Sequence, residues 1–127
     1  MPRYDWTRDE LILALDFYLS HTPAIPDKNS EKITKLSESL RSIGERLFGE
    51  ISEKYRNNNG VYMKLMNLRA VDPNHKGAGL KAGSRAEQTV WDEFAHDPAK
   101  LHKLAKAIRE TAEDDAQLWT DSESVTA

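Results

Sequence analysis

Thr7-Arg8-Asp9-Glu10-Leu11-Ile12-Leu13-Ala14-Leu15-Asp16-Phe17-Tyr18-Leu19 decides the fold class. Thr7 can cap the first unpaired amides of a helix, and Glu10, three residues on, can reach back to the cap. Leu11, Ala14, Leu15, Tyr18 and Leu19 then recur at helical spacing. A first helix is predicted over about 8–20, stopped by Pro23 and Pro26.

The same period extends along the chain. Ser30 can cap a second helix whose stripe is Ile33, Leu36, Leu40 and Ile43, with Gly44 as its C-terminal stop. Residues 45–55 read either as a short helical turn or as an extended segment. Asn57-Asn58-Asn59-Gly60 is a breaker and cap cluster, with Asn58 and Asn59 the expected caps. A third helix follows over about 60–71, with Val61, Leu65 and Leu68 inward, and Asp72-Pro73 ends it. Residues 73–85 form a basic Gly-rich loop. Ser84 and Glu87 suggest a second capping box before a helix carrying Val90, Trp91 and Phe94. Asp97-Pro98 opens a fifth helix carrying Leu101, Leu104, Ala105 and Ile108. Trp6, Leu15, Leu65, Leu68, Trp91, Phe94 and Leu104 are the expected core. The expectation is an all-α single domain of about five helices over residues 1–112, with an acidic tail or linker over 113–127.

Composition narrows the chemistry. The 127 residues hold 18 Lys+Arg and 21 Asp+Glu, a net charge of −3, and no cysteine. Disulfides, thiolate metal sites and a cysteine nucleophile are therefore excluded. No apolar run approaches a membrane span and no signal peptide is visible, so a cytoplasmic protein is expected. The charge is unevenly spread. Residues 54–85 carry Lys54, Arg56, Lys64, Arg69, Lys76, Lys81 and Arg85 against Asp72 alone, a net of +6, while residues 1–53 and 86–127 net −3 and −6.

A basic, Asn-rich segment opening a helix suits an anion, because helix N-termini present unpaired amides. Arg56, Lys64, Arg69, Lys76, Lys81 and Arg85 are candidate phosphate contacts. Asn57, Asn59 and Asn67 are candidates for closer polar contact, since an amide can donate to and accept from an adenine edge. Asn67 and Lys64 are expected to share an outward face. Tyr62 is the candidate base pocket, by stacking. The competing readings are a solvated basic loop folded onto an acidic tail, and Asn residues serving only as caps and turns.

Enzyme signatures are weak. Asp92 and His96 lie four apart on a helix but lack a third metal ligand, so a surface pair is the simpler reading. Gly77-Ala78-Gly79 lacks the strand and third glycine of a dinucleotide site. No catalytic group, cofactor or metal is expected.

Taken in order, Trp6-Thr7-Arg8-Asp9-Glu10-Leu11-Ile12-Leu13-Ala14-Leu15, Arg56-Asn57-Asn58-Asn59-Gly60-Val61-Tyr62-Met63-Lys64-Leu65, Asn67-Leu68-Arg69-Ala70-Val71-Asp72-Pro73, Gly77-Ala78-Gly79-Leu80 and Val90-Trp91-Asp92-Glu93-Phe94-Ala95 resemble the N-terminal domain of bacterial HNH-family predicted restriction endonucleases, the Mcr-like group. The resemblance spans about residues 4–110. It implies a targeting module for double-stranded DNA, a modified base included, working with an HNH nuclease domain in cis or in trans. That family more often has proline where this chain has Asn58, and no HNH motif follows here, so nuclease activity is not carried over. The expected function is DNA binding without catalysis; the alternative is a protein-interaction module gripping an acidic partner.

Overall fold

A computed structural model describes residues 5–22, 24–74 and 85–111. Five helices run through them: α1 (Arg8–His21), α2 (Glu31–Phe48), α3 (Asn58–Val71), α4 (Arg85–Phe94) and α5 (residues 98–111). No strand occurs among the described residues. The all-α, five-helix expectation holds. Most of the Gly-rich loop, with Lys76 and Lys81, the proposed cap Ser84, Pro23 and the acidic segment 113–127 lie outside the described residues.

α1 begins as its sequence dictates. Thr7 Oγ1 accepts from the Glu10 amide (3.3 Å), and the Thr7 amide donates to Glu10 Oε1 (2.9 Å). Every residue from Glu10 to Asp16 is buried, and Tyr18 with them. A helix buried on all sides is a central one. α2, α3 and α4 pack against α1, and α3 also touches α2 and α4. α5 adds Leu101 and Ala105 to the same core. Of the expected core, Leu15, Leu65, Leu68 and Phe94 are buried, while Trp6, Trp91 and Leu104 are partly buried against it. Each fully buried Leu or Ile contributes roughly 1.5–3 kcal/mol by leaving water.

α2 corrects its expected end. The helix runs through Gly44 and stops at Gly49, whose φ of 78° is the left-handed region that glycine enters without strain. Gly44 is needed for space. A Cβ there would lie 2.3 Å from Tyr55 Cε1. The ambiguous residues 45–55 resolve as the last turn of α2, then a tight turn. Arg41 Nη1 fastens that turn by donating to the carbonyls of Ser52 (3.1 Å), Glu53 (3.2 Å) and Tyr55 (2.5 Å). Ser37 Oγ donates to the Arg56 carbonyl (2.6 Å). These bonds hold Arg56 at φ 46°, a strained conformation for a non-glycine residue.

Two polar ties lock α1 to its neighbours. Tyr18 donates its hydroxyl to Asp72 Oδ2 (2.7 Å), and Asp72 Oδ1 accepts from the Asn74 amide (2.8 Å), so the end of α3 is pinned to α1. Burial, with the bond to Asp72, pushes the Tyr18 pKa well above its usual value. On another side of α1, buried Asp16 lies 3.1 Å from His102 Nδ1 and 3.7 Å from Arg109 Nη1 of α5.

Candidate nucleic-acid interface

The segment entering α3 holds most of the predicted site, and packing divides it. Arg56 points inward. Its Nε donates to Glu10 Oε2 (2.7 Å), and its Nη2 donates to Glu10 Oε1 (3.1 Å) and to the Asp5 carbonyl (3.0 Å). The guanidinium lies 4.6 Å from the Trp6 ring centre and 4.4 Å from that of Tyr55. Tyr55 donates its hydroxyl to Glu10 Oε2 (2.9 Å) as well. Glu10 is thus a fully buried carboxylate that receives a cap amide, a phenol and a guanidinium. The strain at Arg56 is held by these partners.

Lys64 is also turned inward. Its ammonium pairs with Glu87 of α4, which is wholly buried, and lies 5.3 Å from the Trp6 ring centre. Two cations therefore attend one indole, each neutralised by its own buried glutamate. This corrects the expectation that Arg56 and Lys64 face a phosphate backbone. It also separates Lys64 from Asn67. Lys64 lies beside the buried seam on the α4 side, while Asn67 sits farther round the helix. Glu87 is a structural partner here, with its Oε2 lacking a hydrogen bond among the described residues.

The asparagines divide likewise. Asn57 is the N-cap of α3, its Oδ1 accepting from the Gly60 amide (2.8 Å). That corrects both its candidacy as a base contact and the expected caps at Asn58 and Asn59. Asn58 donates to the Lys28 carbonyl and to Thr34 Oγ1, each at 2.9 Å, tying α3 to the start of α2. Asn59 is exposed, and Asn67 is half-buried.

With Val61, Leu65, Leu68 and Val71 buried and Met66 packed partly buried against the core, α3 leaves Asn59 and Met63 exposed and Tyr62, Asn67 and Ala70 half-buried, at three- and four-residue spacing. Met63 is 54% exposed. Tyr62 is half-buried on this face. Arg69 is half-buried near its edge, and Arg85 is exposed at the start of α4. Asp92, expected to form a surface pair with His96, accepts from Gln88 Nε2 (2.8 Å). No helix is long and apolar enough to cross a membrane among the described residues.

Sequence reasoning identified the cationic stretch but not its partners. Glu10 was legible as a capping residue, yet its second oxygen and its burial were not. Glu87, whose spacing from Ser84 predicts a cap partner, is the counter-charge of Lys64. Comparison with family models, with curated proteins and with solved structures returns no match to the chain.

Proposed function

We propose that this domain binds double-stranded DNA through the outward face of α3, as a targeting module rather than a catalyst. The observation that carries the reading is the composition of that face. From residue 54 to residue 71 the chain has no acidic residue, and the first turn of α3 has none either. Most solvent-facing helices carry both signs of charge. This one presents exposed Asn59 and Met63 with half-buried Tyr62 and Asn67, and carries Arg69 on the same helix.

The chemistry suits a groove. A B-form major groove about 12 Å wide admits one helix, and asparagine pairs bidentately with adenine N6 and N7. Met63 and Tyr62 give apolar contact to a base methyl or a modified base. Arg69 and Arg85 are left for phosphates. The buried pairs Arg56–Glu10 and Lys64–Glu87 and the Tyr18–Asp72 bond serve by fixing the α3 axis, since a reading helix must be held rigidly. The resemblance to the N-terminal domain of HNH restriction endonucleases agrees with this role and implies an HNH nuclease domain as partner.

A gel-shift series with plain and methylated duplexes at low and moderate salt tests the proposal. Wild-type protein is expected to shift at least one duplex at low salt and to weaken steeply as salt rises. Asn67→Asp, which sets a carboxylate against the phosphates, should weaken binding tenfold or more while leaving the melting temperature nearly unchanged. The exposed Met63 favours one second reading, a protein partner seated on the same face. Absence of any shift at low salt, with Met63→Glu abolishing a protein complex, selects that reading.

A further inference from the structure

We propose that the outward ridge of α5 is a second contact surface for nucleic acid, taking the phosphate backbone through Lys100, Lys103 and Lys106. It rests on the reading that the ligand is DNA, but not on the role of α3. Residues 98–111 hold Lys100, Lys103, Lys106 and Arg109 against one acidic residue, Glu110. They contain all of the positive charge in residues 86–127, where the many carboxylates outside them conceal it.

The packing turns this charge outward. Leu101 and Ala105 are buried, with Leu104 and Ile108 partly buried against the core. The opposite side of the helix bears Ala99, Lys100, Lys103, Lys106, Ala107 and Glu110, all exposed. Among the described residues none of the three lysines forms an ion pair, unlike Arg8, Lys35, Arg56, Lys64 and Arg109. Arg109 and His102, at the edge of the ridge, are directed to Asp16 and hold the helix down. Glu110, four residues after Lys106, closes the C-terminal end of the ridge. Successive lysines advance about 4.5 Å along the helix axis. An array of three fits a few consecutive phosphates, and lysine meets them as a point charge without base selectivity.

The ridge is separate from the α3 face. Glu10 and Tyr18 mark the side of α1 tied to the two ends of α3, and Asp9 and Asp16 the side facing α5. At about 100° per residue these pairs lie roughly 150° apart around α1. α3 and α5 thus present outward faces in different directions, and the ridge takes its own stretch of backbone.

The test is salt-dependent binding of a mixed-sequence duplex, followed by fluorescence anisotropy, with circular dichroism to verify folding. The Lys100→Gln, Lys103→Gln, Lys106→Gln triple variant removes only exposed charge. Its plot of log affinity against log salt should be shallower by about 0.9 for each phosphate that the variant no longer neutralises, with affinity at low salt down tenfold or more. Asn59→Ala with Asn67→Ala should lower affinity with little change in slope. A triple variant with the wild-type slope overturns the ridge and leaves the α3 reading standing. A shallower slope in the triple variant, with the α3 variant unaffected, supports the ridge and overturns the α3 reading. Wild-type protein that binds no duplex at low salt overturns both.

Discussion

Lys64 and Lys103 are the same residue in the same kind of helix, and they do opposite things. Lys64 lies beside the buried seam of α3, within reach of Glu87 on α4 and of the Trp6 ring. Lys103 lies opposite the buried seam of α5 and is exposed. A charge taken from water is tolerable only when paired, and breaking such a pair costs roughly 3–5 kcal/mol, because the remaining charge is stranded. Lys64→Glu and Lys64→Met are therefore expected to destabilise the fold by about that amount. At roughly 3–5 °C per kcal/mol for a domain of this size, the melting temperature should fall by about 9 °C or more. Adding Glu87→Leu to Lys64→Met should recover most of the loss in a thermal melt. A loss of DNA binding by Lys64→Glu alone would thus report unfolding.

At the scale of the element, α2 shows how one residue type carries two meanings. Glycine near the end of a periodic stripe reads as a stop, and both Gly44 and Gly49 satisfy that description. The stop is Gly49, the one with positive φ. Gly44 lies inside the helix because the Tyr55 ring crosses it. That ring cannot withdraw easily, since its hydroxyl is bonded to Glu10. Alanine at 44 would gain up to about 1 kcal/mol of helix propensity, but overpacking typically costs about 1–3 kcal/mol. The clash should win. Gly44→Ala is expected to be net destabilising in urea, and its combination with Tyr55→Phe less so than additivity predicts. A stabilised Gly44→Ala would show that the contact yields. The ridge of α5 makes the complementary point about charge. Summed over residues 86–127 the segment is acidic, yet the helix within it is basic, so elements rather than arbitrary windows are the unit in which charge acts.

For the whole molecule, the Tyr18–Asp72 bond joins the central helix to the end of α3, and its protonation is a property of the fold. A tyrosine whose folded pKa is raised above the ordinary value near 10 binds its proton more tightly when folded. Its contribution is fully present below pH 10 and is lost as pH rises from there towards the folded value. Stability is therefore expected to decline above about pH 10, and the decline should be smaller in Tyr18→Phe, as urea denaturation at a series of alkaline pH values would show. Helix class, helix number and much of the core were legible in the sequence, because capping boxes, prolines and three-and-four spacing act over a few residues. Thr7 with Glu10, and Asp72 before Pro73, needed no tertiary context. The fates of Arg56, Lys64 and Asn57 were not legible. Whether a cation faces a phosphate or a carboxylate depends on which residue lies across from it, and Glu10 and Glu87 come from 46 and 23 residues away. Local order follows from neighbours along the chain; the surface left for a partner is what remains after distant segments have paired, and only the tertiary structure decides that.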